Sequence, residues 1–351
     1  MSSYAQAGVD IAAGDAAVDR IKAVVASTHR PGVLGAIGGF GGLFDLGPVM
    51  QGRRYPVLVS STDGVGTKAK VATALARYAT IGLDLVAMCV DDLVCQGAEP
   101  LFLLDYLCVG RLDPGMAEAI VGGVADGCRR VGAALLGGEM AEHPGSMPDG
   151  DFDLAGFAVG IVERDRLLPQ RVEPGLRLVG LPSPNLRANG YSLARRALIG
   201  NRTPECLAEP AWPGSPESLG QVLLEPSVLY APAVLALLAE VDVRAVVHVT
   251  GGGLPGNVNR ILPAGLDAVL DRSSWTVPRV FAEIQQRAGV ADAEMARVFN
   301  LGLGMVVAVP ADEATHSIEV LSAHGHPGAA VVGEVVDGGS GAVRLTGALG
   351  R

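Results

Sequence analysis

The sequence has few charged residues, few aromatic residues and no long apolar run, and each shortage excludes a class of protein. Charged residues make up 18% and aromatic residues 4% of the 351 residues. No apolar stretch reaches the ~18 residues that a membrane-spanning helix needs, and the first residues lack the basic and apolar segments of a signal peptide. A formal net charge of −10 argues against a nucleic-acid backbone as the main partner. We therefore expect a cytoplasmic protein with no membrane span and no nucleic-acid partner.

The cysteines lack the spacing of a metal or redox site. None of the five belongs to a CxxC pair, and most sit in apolar runs. This pattern predicts buried, reduced thiols in a reducing compartment. The five positions are Cys89, Cys95, Cys108, Cys128 and Cys206.

Glycine, in contrast, is abundant, with 48 residues, and the chain is long for a single hydrophobic core. Apolar runs typical of strands alternate with helical patterns in both halves, which predicts an α/β fold of two layered domains. The polar, proline-bearing stretch 163–175 is the predicted boundary. We assign residues 1–168 to an amino-terminal domain and residues 169–351 to a carboxy-terminal domain.

The same patterns place individual elements. We predict strands at 55–61, 100–110, 133–139, 153–162, 176–181, 243–249, 304–309, 329–336 and 342–346, and helices that include 15–28, 81–96, 114–131, 227–240, 254–262 and 311–324. Thr80 is the predicted N-cap of helix 81–96. Between residues 262 and 304 the pattern predicts two further helical stretches.

The stretch DGVGTK (63–68) resembles a phosphate-binding loop whose letters are in a different order. Gly64 and Gly66 allow close backbone approach, and a helix predicted to start near Thr67 would offer N–H groups to an anion. Asp63 at the strand end could hold Mg²⁺. A tight strand-to-helix turn with a solvated Lys68 explains the same letters.

Three carboxylates strengthen the first interpretation. Asp92 shares a helix face with apolar residues, and Glu139 follows a strand and two glycines, as Asp63 follows a strand. Hard cations prefer such oxygen ligands, and Mg²⁺ usually bridges one or two carboxylates to phosphates. The trio predicts a metal–nucleotide site, although Asp92 taken alone is more typical of a hydrogen-bonded core residue.

A second junction of this kind lies in the other half. His248 ends a predicted strand and is followed by Thr250 and the glycines 251–253 at a helix start. This makes a second candidate anion site. The alternative is a simple glycine turn in which His248 is structural.

Nine motifs resemble the aminoimidazole ribonucleotide synthetase (phosphoribosylformylglycinamidine cyclo-ligase) family and follow its order along nearly the whole chain. They are YAQAGVDI (4–11), GGFGGLF (38–44), STDGVGTK (61–68), QGAEPLFLLDY (96–106), LLGGE (135–139), DLAGFAVG (153–160), NGYSL (189–193), HVTGGG (248–253) and FNLGLGM (299–305). The resemblance implies two domains and a homodimer in which amino-terminal sheets pair, with ATP near that interface.

The resemblance also implies roles for individual residues. ATP would be bound by Lys22, Gly38, Gly39, Gly41, Gly42, Asp63, Gly64, Gly66, Thr67 and Lys68, and Mg²⁺ by Asp63, Asp92 and Glu139. The ribonucleotide substrate would be bound by Asn189, Thr250, Gly251, Gly252 and Gly253. Catalytic roles fall on Lys68, Asp92, Arg187 and His248, and His248 with its glycines is expected at the cleft between domains.

The implied reaction starts from formylglycinamidine ribonucleotide. Its formamide oxygen takes the γ-phosphoryl group of ATP, an amidine nitrogen closes the imidazole ring, and phosphate leaves. Three other hypotheses stay open: a diverged paralog that activates another amide, a small-molecule kinase similar to thiamine-phosphate kinase, and a non-catalytic nucleotide-binding protein.

The family motifs are interrupted at a few positions. Asp91 stands where the family has Asn, Met140 where it has Thr, Arg187 where it has His, and Leu301 where it has Cys or Met. Arginine does not titrate near neutral pH, so Arg187 cannot replace a proton-transferring histidine, although it could hold a phosphate or carboxylate. These changes are the reason for keeping the paralog hypothesis.

Overall fold

The computed structural model describes residues 8–347, which form two compact units. The first contains the described residues up to Leu93 together with Ala98–Asp165, and the second contains Val94–Gly97 and the residues from Arg166 onward. Each unit is a mixed sheet covered by helices, which confirms the predicted α/β class. Residues 4–7 of the YAQAGVDI motif lie outside the described residues.

The first unit is built around a four-stranded sheet and three long helices. Its helices are α1 (Ile11–Ala26), α2 (Gly47–Met50), α3 (Ala69–Leu75), α4 (Ala79–Cys95) and α5 (Pro114–Val131), and its strands are β1 (Val33–Leu34), β2 (Leu43–Phe44), β3 (Pro56–Gly64), β4 (Glu99–Val109), β5 (Ala134–Glu142) and β6 (Phe152–Glu163). The strands β3, β6, β4 and β5 are neighbours in that order, and β1 and β2 form a separate hairpin. Helix α4 begins at Ala79, so the prediction that Thr80 is its N-cap was wrong.

The strand register aligns one row of residues across the sheet. Asp63 pairs with Gly156, Gly156 with Asp105, and Asp105 with Gly138. Paired residues project to the same face of a sheet. A Cβ on Gly156 would lie 3.1 Å from Leu85 and Cys89 of α4, so this row faces the helix layer. The neighbouring rows therefore face the other side.

The second unit contains a six-stranded sheet in the order β12, β9, β11, β7, β10, β8. Its strands are β7 (Arg177–Pro182), β8 (Ala245–His248), β9 (Leu266–Asp271), β10 (Leu303–Val309), β11 (Ala330–Asp337) and β12 (Val343–Thr346). Its helices are α6 (Tyr191–Leu198), α7 (Leu219–Leu224), α8 (Ala231–Glu240), α9 (Gly253–Val258), α10 (Arg279–Ala288), α11 (Asp292–Val298) and α12 (Ala314–Ala323). Leucines, valines and Trp275 fill one core beneath the sheet.

Strand β9 is the longest β-strand that the sequence pattern missed; the short elements β1, β2, α2 and α7 were also not predicted. Helices α10 and α11 confirm the two helical stretches predicted between residues 262 and 304, but β9 precedes them. Its Asp267 is buried in the strand, where its Oδ1 accepts a hydrogen bond from the backbone N–H of Ala342 at 2.9 Å. Aspartate is disfavoured in strands unless a hydrogen-bond donor lies close to its carboxylate in the structure. Here that donor belongs to a residue far along the chain.

Two features predicted from composition agree with the structure. None of the five cysteines, all within the described residues, forms a disulfide, and four of them are buried. Burial raises the pKa of Cys89 to about 12, which keeps the thiol protonated. Among residues 8–347, no helix is both long and apolar enough to cross a bilayer.

Helices α4 and α5 touch through backbone atoms. A Cβ on Gly82 would lie 2.2 Å from the backbone nitrogen of Val124, and one on Gly123 would lie 1.9 Å from the carbonyl oxygen of Ala79. Real Cβ atoms do not approach other atoms so closely. The two glycines therefore allow α4 and α5 to pack with their backbones in contact.

We predict that Gly123→Ala destabilises the protein by roughly 1–3 kcal/mol or more, because the methyl group forces the two helices apart. The matched control is Gly122→Ala, whose Cβ would meet nothing within 4 Å. It should be neutral or stabilising by up to about 1 kcal/mol through helix propensity. Urea unfolding measures both free energies, and equal effects of the two substitutions would contradict the close contact.

Candidate functional site

A cavity of about 420 Å³ opens in the first unit between α1, the glycine loop and the end of β5. This volume falls within the range of small-molecule sites. The cavity is lined by Val9, Asp10, Ile11, Gly14, Asp15, Val18, Ile21, Val25, Ile37, Gly38, Gly39, Asp105, Leu112, Val121, Leu135, Gly137, Gly138, Glu139, Met140 and Glu142. None of these described lining residues is Lys, Arg or His.

The apolar wall of the cavity comes from one face of α1. Val18, Ile21 and Val25 recur at helical spacing, and Val121 and Leu135 complete the wall. Of the three residues on α1, Ile21 and Val25 are buried and also belong to the hydrophobic core. Such a wall suits the flat apolar face of a ligand ring.

Two of the acidic lining residues have structural duties. Asp10 caps α1, since its Oδ1 accepts hydrogen bonds from the backbone N–H groups of Ala12 and Ala13. The two carboxylate oxygens of Glu142 accept from the backbone N–H groups of Asp10 and Leu112, each at 2.8 Å. Glu142 therefore ties the start of α1 to the loop before α5 and shapes the cavity mouth.

Asp105 is different, and the motif assignment gave it no role. Its Oδ2 is shielded from solvent and accepts no hydrogen bond from the described residues. Loss of hydration raises the pKa of its carboxyl group to about 7. An aspartate in the middle of the apolar run PLFLLDYLCV was the signal that could have identified it from the sequence.

The glycine loop forms the rim of the cavity. Gly38 and Gly39 line it, and Gly38 has a φ of +105°, which favours glycine. A Cβ on Gly42 would collide with Leu136, so the far end of the loop rests on β5. Phe40, between the glycine pairs, is fully exposed.

The three predicted metal ligands do not converge. Across the sheet, Asp63 on β3 and Glu139 on β5 are three strand spacings apart, or roughly 14 Å between backbones. One Mg²⁺, with ligands at ~2.1 Å, cannot bind both side chains at once. Within residues 8–347 the structure gathers no group of three or more His, Cys, Asp or Glu side chains that could hold a metal ion.

Asp63 and Asp92 do come together around Cys89, where both carboxylates contribute to the raised pKa of the thiol after burial itself. Asp63 Oδ1 accepts from the backbone N–H of Gly64 at 2.7 Å, and Asp92 Oδ2 accepts from Ser61 Oγ at 3.2 Å. Asp92 is only half-buried, whereas Asp91 is fully buried. The helix therefore turns Asp91, and not Asp92, most deeply into the protein.

Neither predicted lysine lines the cavity. Lys22 is on the exposed side of α1, with its Nζ 2.6 Å from Asp19 Oδ1. Lys68 ends a short 3₁₀ turn, Gly66–Lys68, and points inward, with its Nζ 2.7 Å from Asp84 Oδ2 and both side chains fully buried. In this arrangement Lys68 fixes the DGVGTK turn to α4 and is not solvated. Its role as a phosphate ligand stays a prediction.

In the second unit, the structure brings together the NGYSL and HVTGGG motifs. A Cβ on Gly251 would lie 3.9 Å from Asn189 Oδ1, and Asn257 Nδ2 donates to the carbonyl oxygens of Gly253 at 2.8 Å and Thr250 at 3.2 Å. Gly252 has a φ of +102°. The predicted substrate-binding residues therefore form one loop cluster.

Arg187 and His248 are neighbours in sequence of residues in this cluster, and both side chains are buried. Arg187 has no exposed surface, and its guanidinium carbon lies 4.8 Å from the ring centroid of Tyr230. Its φ of +60° is strained for a residue with a Cβ. Arg187 therefore packs inside the unit and shapes the 183–190 loop.

Two family models match the chain. The model described as AIR synthase related protein, N-terminal domain, matches residues 49–162, and the model described as AIR synthase related protein, C-terminal domain, matches residues 173–346. The chain belongs to the AIR synthase related family. The two matches coincide with the two sheets.

Solved structures of this family type share the fold at low identity. Thiamine-monophosphate kinase from Stenotrophomonas maltophilia K279a has a TM-score of 0.65 and 21% identity, over 94% of this chain and 95% of that one. Hydrogenase maturation protein HypE in complex with ATP has a TM-score of 0.59 and 20% identity, over 84% and 83%. T. maritima PurL complexed with AMPPCP has a TM-score of 0.52 and 16% identity, over 93% of this chain and 46% of that one.

We predict that Lys68→Met destabilises the protein by roughly 3–5 kcal/mol, because it removes one partner of a buried ion pair. Adding Asp84→Leu should recover most of that loss. The matched control is Arg20→Met, which breaks the exposed contact of Arg20 with Glu118 and should cost less than about 1 kcal/mol.

Denaturant unfolding measures these free energies. A Lys68→Met protein as stable as the wild type would contradict the structural role of this pair. If such a protein had also lost ATP binding, Lys68 would be a phosphate ligand after all.

Proposed function

We propose that the protein is an ATP-dependent cyclo-ligase that converts formylglycinamidine ribonucleotide to aminoimidazole ribonucleotide, ADP and phosphate. The observation that carries the proposal is the cavity of the first unit. It gathers Gly38, Gly39 and Glu139, three residues to which the motif resemblance gives nucleotide roles, against an apolar helix wall. The ATP and AMPPCP complexes among the similar structures are consistent with a nucleotide at this fold.

The proposed reaction requires that ATP and the substrate be held in position, and it does not need a covalent nucleophile. The formamide oxygen is a poor leaving group, and the γ-phosphoryl group of ATP turns it into a phosphate that can leave. An amidine nitrogen of the same substrate then bonds to the formyl carbon and closes the ring. Such a sequence depends on holding ATP and substrate in register. The glycine loop would hold the nucleotide, and the loop cluster around Asn189 would hold the ribonucleotide.

Mg²⁺ suits the donors that the first unit offers. The Asp63 and Asp92 carboxylates near Cys89 are hard oxygen ligands, and Glu139 is a further one at the cavity. Because these groups do not converge on one point, phosphate oxygens would have to complete any coordination sphere. When bound, the metal would offset the charge of the triphosphate beside a cavity to which residues 8–347 contribute no basic side chain.

One observation favours a second candidate, a paralog that activates a different amide. Met140 lines the cavity at the place where the family motif has Thr. A thioether replaces a hydroxyl there, so the cavity loses a hydrogen-bonding group. Arg187, in place of the family histidine, is buried against Tyr230. A changed substrate would explain both departures.

The test mixes the protein with Mg·ATP and formylglycinamidine ribonucleotide and follows ADP, phosphate and aminoimidazole ribonucleotide together. We expect all three in equal amounts. Asp63→Asn should reduce turnover by an order of magnitude or more, while the half-buried Asp126→Asn, on α5 and outside the cavity lining, should not. A phosphorylated product that persists would instead indicate a kinase, and ATP binding without turnover would indicate the paralog.

We also propose a homodimer formed by the open face of the first sheet. Leu58, Tyr106 and Phe157 are exposed there, and the register puts all three on the face opposite α4. A contiguous exposed apolar face is typical of an interface. The motif resemblance implies pairing of these sheets.

Sedimentation equilibrium tests this pairing. The wild type should be a dimer, and Phe157→Glu should shift it to a monomer. Val331→Glu, at an exposed apolar position of the second unit, serves as the control and should leave the dimer intact. A monomeric wild type, or a Phe157→Glu dimer as strong as the wild type, would overturn the proposal.

A further inference from the structure

One glycine leaves part of the cavity lining without a side chain. Gly138 pairs with Asp105 across β5 and β4, and a Cβ on Gly138 would lie 1.9 Å from Asp105 Oδ1. The carboxyl group of Asp105 thus occupies the space that a side chain at position 138 would fill. Both residues line the cavity, so a ligand there meets the Asp105 carboxyl group with no side chain in between.

The Asp105 carboxyl group needs a hydrogen-bond donor. A buried oxygen without one costs free energy, because it has lost its water and gained nothing in return. No basic side chain lines this part of the described chain, and the backbone groups nearby leave Oδ2 without a partner. Burial, which removes water from the carboxyl group, raises the pKa of Asp105 to about 7. An N–H group on the ligand would supply the missing donor.

The rest of the wall narrows the kind of ligand. The apolar surface of the cavity includes Val18, Ile21 and Val25. The carboxyl group of Asp105 offers a hydrogen-bond acceptor in the same cavity. A planar ring with an exocyclic amino group matches both. At a pH above the pKa of Asp105, where the carboxyl group is ionised, a ring with a carbonyl at the same place would set oxygen against oxygen. That contact is unfavourable in a site shielded from water.

We propose that Asp105 selects the base of the bound nucleotide, its carboxylate accepting a hydrogen bond from the exocyclic amino group of adenine at the gap beside Gly138. The cavity then prefers ATP to nucleotides that carry a carbonyl at that position. This inference rests on the proposed nucleotide-binding function of the cavity and adds a specificity-determining residue to it.

The experiment compares the dissociation constants of ATP and inosine triphosphate, which differ by amino against carbonyl on the purine. Wild-type protein should bind ATP at least about tenfold more tightly, the effect of one buried hydrogen bond. In Asp105→Asn the side-chain amide can also donate, so it can face a carbonyl. The preference should fall to within about threefold, mainly through tighter binding of inosine triphosphate.

Two neighbouring glycines give a matched pair of variants. Gly138→Ala displaces the Asp105 carboxyl group and should reduce the preference as Asp105→Asn does. Gly137→Ala places its Cβ 3.7 Å from Leu104, an ordinary contact, and should keep the wild-type ratio whatever it does to affinity. A ratio does not depend on the folded fraction, so lower stability cannot imitate the result.

The possible failures are distinguishable. A wild-type protein that binds neither nucleotide overturns the proposed function and this inference together. A wild-type protein that binds ATP but does not discriminate, or a preference unchanged in Asp105→Asn, overturns only the role of Asp105. Equal behaviour of Gly137→Ala and Gly138→Ala overturns the access route through position 138.

Discussion

Close approach of backbones is the constraint on which the first unit depends. Helix α4 packs against α5 and against the sheet, and the contact positions Gly82, Gly123 and Gly156 cannot carry a side chain without moving a neighbour. Backbones this close leave little room for large side chains, which explains a composition rich in glycine and poor in aromatics. The position of α4 in turn sets where Asp84, Cys89 and the residues around them meet the DGVGTK turn.

The same constraint gives the cavity its character. Side chains are absent at Gly38, Gly39 and Gly138, so the ligand space is bounded by backbone on one side and by the apolar face of α1 on the other. Backbone walls are rigid and offer N–H groups, whereas the carboxyl groups of Asp105 and Glu139 add charge at two points. The site thus combines an apolar surface that accepts many ligands with a few polar groups that can discriminate between one ligand and another.

Much of the fold was readable from the sequence because periodic patterns report local structure. Helix 114–131 was predicted with the bounds that the structure has, and the alternation of strands and helices predicted the fold class. Strand β9 was missed because Asp267 breaks the apolar pattern, and its hydrogen-bond donors come from residues far along the chain. Propensity carries no information about such distant partners.

Site residues could be predicted from the sequence only where a motif contains them. The glycine loop and Glu139, which belong to two of the quoted motifs, meet at one cavity. The direction in which a side chain points was not readable: Lys68 turns inward to Asp84, and α4 buries Asp91 more deeply than Asp92. Both outcomes depend on how the helix is rotated against the sheet, a property of the packed structure rather than of the local sequence.

The contact between positions 105 and 138 also has an evolutionary consequence. The carboxyl group of Asp105 and a side chain at position 138 compete for the same volume, although the two residues belong to different strands. A lineage that replaces Gly138 must first shorten or move the residue at 105, and one that loses Asp105 is released from the need for glycine. The residues at positions 105 and 138 should therefore change together among relatives, because their side chains would occupy the same space.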